Sequence, residues 1–259
     1  LVQSIQFSFS NVKIGDDPIP VGWSNYNYLL NLHPQFRRDI ISTFTNLIPQ
    51  VMIIIFFSIF VAVLLNQKFK GRMIVRILFF LPVIITAGAV MELMQTQIFA
   101  DAGNVSNVYL FRSTGLRDML LRSGLDGQLV YRITTYVNQI FTYTWKSGVQ
   151  ILLFLAGLQS IPKMYYEAAS VEGASAWASF WKITVPLISP VLFTNIIYTI
   201  VDTFTDTANP VLKGIYNLIR KDLQFGLGAA QAWMFFVVIM IVVGIAYLII
   251  GRHIIYMSE

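Results

Sequence analysis

Two sets of polar side chains recur at helical spacing within otherwise apolar sequence. Tyr143, Lys146 and Gln150 stand at i, i+3 and i+7, and Asn195, Tyr198 and Asp202 repeat that spacing farther along the chain. Each set therefore shares one helical face. A charge at the centre of a membrane segment costs roughly 2.5–3.5 kcal/mol on insertion scales, so such residues turn toward a cavity or a partner helix. Phenol, amide, ammonium and carboxylate groups on one face can hydrogen-bond a polar solute. They can equally bind helices to one another, with Lys146 and Asp202 pairing or reaching to the interface. Between the two sets lie Glu167-Ala168-Ala169, then Glu172, Gly173 and Ala174, then Phe180, Ile183, Pro186 and Pro190. Helix-forming residues on either side of Gly173 predict two short helices meeting at a glycine elbow along the membrane face, because glycine turns without a Cβ penalty. The small Ala168 and Ala169 let a partner surface approach closely. Glu167 is placed to pair with a basic group on that partner or to brace the elbow. Phe180 and Ile183 tie the second helix to the rest of the fold, and Pro186 suits the first turn of the next helix.

Covalent chemistry is harder to find. The chain has no cysteine, which excludes disulfides, thiolate nucleophiles and cysteine-ligated metals. His33 and His253 are too far apart in sequence to suggest a metal site. Neither a Ser/His/Asp arrangement, nor H-E-x-x-H, nor a carboxylate pair with an evident task is present. No GxxxxGK[ST] phosphate loop occurs either, so nucleotide binding by this route belongs to another polypeptide. The expectation is a chain with no catalytic residue, no metal ligand and no bound cofactor of its own.

The elements that must position these residues are membrane helices. Of 259 residues 56% are hydrophobic and 12% charged, against about 25% charged in soluble domains. A hydrocarbon core of about 30 Å needs about 20 apolar residues as a helix. Residues 40–65, 73–94, 136–158, 186–205 and 229–251 qualify, and backbone satisfaction in lipid makes helices the default. The predicted fold class is an all-α polytopic membrane protein with five transmembrane helices. A segment 1–39 precedes them, the membrane domain covers 40–251 with a loop at 161–183, and a tail occupies 252–259. Lys68, Lys70 and Arg72 make the short turn after the first span basic, with Arg76 just beyond, which places that turn in the cytoplasm. The loop at 161–183 then also falls inside, as does Arg252. Arg112, Arg117, Arg122 and Arg132 lie in the long outer loop, where they form a solvated face or a contact for an outside partner. The net charge of +5 fits basic juxtamembrane loops better than nucleic-acid binding.

The central motif resembles the EAA loop of the membrane subunits of bacterial ABC importers: E-A-A, three residues, G, nine residues, I, one residue, a hydrophobic residue and P. Every fixed position is met, with Glu172 where Asp is usual and Val185 where Leu is usual. LAGLQSIP at 155–162, LFFLPVIIT at 78–86 and GWSNY at 22–26 resemble the maltose-type, sugar-importing branch, so the likeness covers most of the chain. At 202–211 the family often has G-G-P where this chain reads DTFTDTANPV, which weakens any transfer of substrate contacts. The resemblance implies a permease of the bacterial cytoplasmic membrane that lines a pathway with a second, homologous permease. It implies docking of the EAA loop into an ATP-binding cassette dimer that holds ATP and Mg, with a carbohydrate delivered by an extracellular solute-binding protein. SIQFSFS at 4–10 resembles the segment just after the first membrane helix of these permeases, implying six helices in the native protein. The competing class is a secondary transporter or channel not driven by ATP, which predicts inverted repeats; none is evident.

Overall fold

The computed structural model describes residues 2–12, 18–67, 70–71, 73–77, 79 and 114–253. Most of the expected second span lies outside the described residues, along with LFFLPVIIT apart from Phe79, and with Lys68, Arg72 and Arg112. The chain divides into two compact units, Leu1–Met52 with Ile196–Ile254, and Ile53–Asn195 with Ile255–Glu259.

The first unit begins with α1 (Val2–Ser8) and a short antiparallel ribbon, β1 (Ser10–Asn11) with β2 (Ile19–Pro20), in the register Ser10↔Pro20 and Asn11↔Ile19. Side chains tie the start of this ribbon to the segment after it: Asn25 Nδ2 donates to the carbonyls of Ser8 (3.0 Å) and Ser10 (3.1 Å), and the Tyr26 hydroxyl donates to Ser8 Oγ at 2.7 Å. Phe9, Trp23 and Tyr26 close over it with ring centroids 5.1–5.2 Å apart. After α2 (Ser24–Asn27) and a wide turn, α3 runs from Pro34 to Asn66. It starts ahead of the apolar stretch expected from hydropathy because Pro34 suits a first turn and the Phe36 N–H donates to His33 Nδ1 at 3.1 Å. Hydropathy detects the lipid-facing part of a helix, whereas caps decide where it begins.

An apolar cluster of this unit contains Leu29, Phe36, Leu47, Ile200, Phe204, Val211, Ala230 and Phe235. Phe204 is fully buried and meets Phe44 and Phe235 edge-on at 6.1 and 5.7 Å. Lipid tails are as apolar as these side chains, so close packing and dispersion, more than water exclusion, favour such contacts inside the bilayer.

In the second unit, α4 (Thr114–Arg122) precedes α5 (Gly127–Lys146), whose start is capped by Asp126 accepting from Gln128 N and Leu129 N. Ser147 interrupts the path, and α6 (Gly148–Ser160) comes next. The third expected span is thus divided between the end of a mostly polar helix and a short apolar one. Gly157 of α6 lies against Val191; a Cβ there would sit 2.8 Å from Val191 Cγ2 and 3.2 Å from its Cβ and Cγ1. Valine is stiff at χ1 and cannot swing aside. Gly157→Ala should destabilise the protein by about 1–3 kcal/mol through overpacking, and Val191→Ala in the same chain should restore most of the loss. Thermal unfolding in detergent checks this, and additive losses in the double variant would show that the two side chains do not meet.

Among the described residues, two helices are long and apolar enough to cross a bilayer: α3 and the final long helix Phe225–Ile250. A third crossing arises if Ala176–Leu187 and Ser189–Arg220, bent by 68° at Ile188, count as one broken span.

Candidate functional site

Gly173 organises the loop between α6 and the bent span. Pro162, in extended conformation, ends the link from α6 and opens α7 (Lys163–Val171). The helix closes with two backbone bonds: Ala174 N–H donates to Ala169 O at 2.9 Å and Gly173 N–H to Ser170 O at 3.1 Å, with Gly173 at φ +76°. That pair of bonds around one left-handed residue satisfies carbonyls that a helix end otherwise leaves open, and it favours glycine at this position. The chain then reverses. Ser175, extended, accepts from Ala178 N–H at 3.2 Å and caps α8 (Ala176–Ser179), which continues through a wider turn at Phe180–Thr184 into Val185–Leu187. The sequence pattern alone puts the restart at Ala174; the serine cap delays it to Ala176.

The two limbs are joined by side chains as well as by the elbow. The Tyr166 and Thr184 hydroxyls lie 2.9 Å apart, and Thr184 is buried. Tyr166→Phe removes a hydrogen bond of about 1 kcal/mol net, so amide exchange at 176–184 should quicken roughly fivefold. Hydrogen-exchange mass spectrometry reads that change; unaltered rates would show that the elbow alone holds the limbs.

Of the predicted loop residues, Glu167, Ala168, Glu172, Gly173 and Ala174 are exposed, while Phe180, Ile183 and Pro186 are half-buried. The two alanines part company. Ala169 is buried, whereas Ala168, a helical step of 100° away, is exposed, so of the two only Ala168 leaves its small side chain open. Phe180 lies against its neighbours Trp177 and Trp181, with centroids 6.5 and 5.2 Å away. Pro186 falls in the short turn before the bend, and the helix after it, α9 (Ser189–Thr205), starts beyond Ile188 with Pro190 in its first turn.

The polar stripes also separate. Tyr143 and Lys146 end α5 and are half-buried, but Gln150 belongs to α6 and is fully buried. Asn195 of α9 is fully buried too, with its Nδ2 3.5 Å from the Gln150 carbonyl. This pair spans the α6–α9 contact as expected of polar groups between membrane helices. In the other unit, Tyr198 is partly exposed and Asp202 half-buried.

Sequence spacing missed a polar chain in the first unit. Asn209 caps α10 (Pro210–Arg220), its Oδ1 accepting from Val211 N–H at 2.9 Å and from Thr43 Oγ1 at 3.4 Å. Gln231 Nε2 of the long helix α11 (Phe225–Ile250) donates to the Val211 carbonyl at 3.4 Å. Thr43, Asn209 and Gln231 are all buried, so α3, α10 and α11 meet through these groups. The Asn-Pro dipeptide was the available signal, since asparagine before proline is a helix-start pattern.

Apolar helices able to cross a bilayer and a bent apolar pair are the features of a polytopic membrane protein, and the glycine elbow between them is exposed. Residues 28–255 match the binding-protein-dependent transport system inner membrane component, and the chain belongs to that family. It is a permease subunit of an ABC importer in the bacterial inner membrane, not the ATPase. It is 30% identical to the Probable ABC transporter permease protein YesP of Bacillus subtilis, over 96% of this chain and 82% of that one. With the arabinooligosaccharides transport system permease protein AraP of Halalkalibacterium halodurans it shares 32% identity over 73% of this chain and 57% of that one. A solved bacterial ABC transporter involved in the import of the acidic polysaccharide alginate has the same fold, with a TM-score of 0.70 at 21% identity over 97% of this chain and 88% of that one.

Proposed function

We propose that this permease imports a sugar or oligosaccharide and that the loop at 161–183 couples it to ATP hydrolysis. The exposed glycine elbow carries the reading: two capped helical limbs hold Glu167, Ala168, Glu172 and Ala174 outward on a rigid reversal, a shape suited to a cleft in another protein. Support for the solute class comes from relatives whose names specify arabinooligosaccharides or multiple sugars. The working assembly contains a second permease and an ATPase dimer that binds ATP and Mg, and a solute-binding protein delivers the cargo. Five membrane helices belong to this chain. Nucleotide binding favours one of two states of the ATPase dimer, and the loops transmit that preference to the spans, because only differential binding can shift such an equilibrium. Tyr143, Lys146, Gln150, Asn195, Tyr198 and Asp202 are the polar groups proposed for the solute pathway.

Purification from its native membrane tests the assembly. A phosphate-loop ATPase and a second permease should co-purify in stoichiometric amounts, and solute uptake in liposomes should require ATP. Uptake by this chain alone without ATP would overturn the reading.

A further inference from the structure

The second limb of the loop has a chemistry unlike the first. Between Ala174 and Leu187 there is no acidic residue and one basic residue, Lys182, whereas the first limb and elbow hold Glu167 and Glu172 with Lys163 at the start of the limb. Trp177 and Trp181 are 71% and 49% exposed, and their rings meet edge-on at 5.7 Å. Lys182 is exposed beside them. Exposed indoles do not suit bulk water, but a ring with one N–H and a large apolar face suits the boundary between headgroups and acyl chains. The direction of the limb agrees. Ala176–Leu187 is bent by 68° from Ser189–Arg220, and membrane-crossing helices tilt by about 20° from the normal, so the limb runs closer to the membrane plane than to the normal. It also enters the apolar span directly through Val185–Leu187.

We propose that Ala176–Leu187 is an interfacial anchor seated in the headgroup region of the cytoplasmic leaflet, with Trp177 and Trp181 in the bilayer boundary and Lys182 toward phosphate. Glu167 and Glu172, on the first limb and the elbow, face away from the anionic surface and remain available to the ATPase. The anchor sets the height of the elbow, so that the loop moves as a lever hinged at the membrane. This rests on the reading of the loop as a cytoplasmic coupling element.

The absence of cysteine in this chain makes the test direct. Trp181→Cys and Ala174→Cys, each spin-labelled within the full transporter carrying cysteine-free partner subunits, are placed in phosphatidylethanolamine/phosphatidylglycerol nanodiscs. Collision rates with oxygen and with a water-soluble nickel chelate are then measured before and after removal of the ATPase. At 181 oxygen should exceed nickel in both states; at 174 nickel should exceed oxygen without the ATPase and fall when it binds. A 181 label that is nickel-accessible without the ATPase and shielded with it would assign the indoles to the ATPase and overturn the proposal. Shielding of 181 from both probes without the ATPase would assign them to the sister permease and overturn it equally. Failure of the ATPase to protect 174 would instead refute coupling by the elbow. As a check with the label absent, Trp177→Phe with Trp181→Phe should lower tryptophan quenching by lipids brominated near the headgroup; unchanged quenching would also count against the anchor.

Discussion

Gly173→Val should lower transport-coupled ATP hydrolysis roughly five- to thirtyfold, the population shift corresponding to about 1–2 kcal/mol for a left-handed L-residue. The cause is confined to the backbone. Gly173 sits at φ +76°, and a Cβ built there meets nothing within 4 Å, so space is no obstacle. A β-branched residue at that φ is a genuine outlier. The valine chain would abandon the elbow, the bonds from Ala174 to Ala169 and from Gly173 to Ser170 would open, and the limbs would no longer present one surface. Asparagine tolerates the left-handed region, so Gly173→Asn should retain most coupling and Gly173→Ala should fall between. ATPase rates of the reconstituted complex, with and without solute-loaded binding protein, give the order. Equal loss in the asparagine and valine variants would trace the defect to side-chain volume in the partner's cleft instead.

The second large effect concerns folding. Gly226 lies in the first turn of α11, where a Cβ would come within 2.0 Å of the Ser10 carbonyl oxygen and 3.1 Å of that of Phe7. Both obstacles are backbone, so no rotamer change relieves them. Gly226→Ala must push α1 and the ribbon off α11, breaking the hydrogen bond from Trp233 Nε1 to Ser4 Oγ (3.1 Å). A loss of about 3 kcal/mol, the upper end of overpacking effects, is expected. It should appear as a lower unfolding temperature in detergent and as protease cleavage within residues 1–27. Wild-type stability and resistance would mean that the head does not rest on this glycine. By contrast, Gly244 has nothing near its would-be Cβ, and its replacement by alanine should leave the unfolding temperature nearly unchanged.

Much of this protein was legible in its residues. Apolar runs indicated membrane helices, and E-A-A with Gly173, Ile183 and Pro186 at fixed spacing indicated the family and an elbow. These features are local: helix periodicity, a glycine at a left-handed position and a proline in a first turn each act over a few residues, so spacing reports them. Other properties depend on residues distant in sequence. Nothing in the letters of Ala168 and Ala169 says which is buried, and the regular spacing of Tyr143, Lys146 and Gln150 gave no hint that Ser147 divides them between two helices. Nor does the spacing reveal that Asn195 of α9 comes within 3.5 Å of the Gln150 backbone carbonyl in α6. Likewise, Gly226 is an ordinary glycine until the Ser10 carbonyl approaches it, and Thr43, Asn209 and Gln231 join only when three helices meet. Local conformational preference belongs to the sequence; burial and close approach require the rest of the chain to be in place.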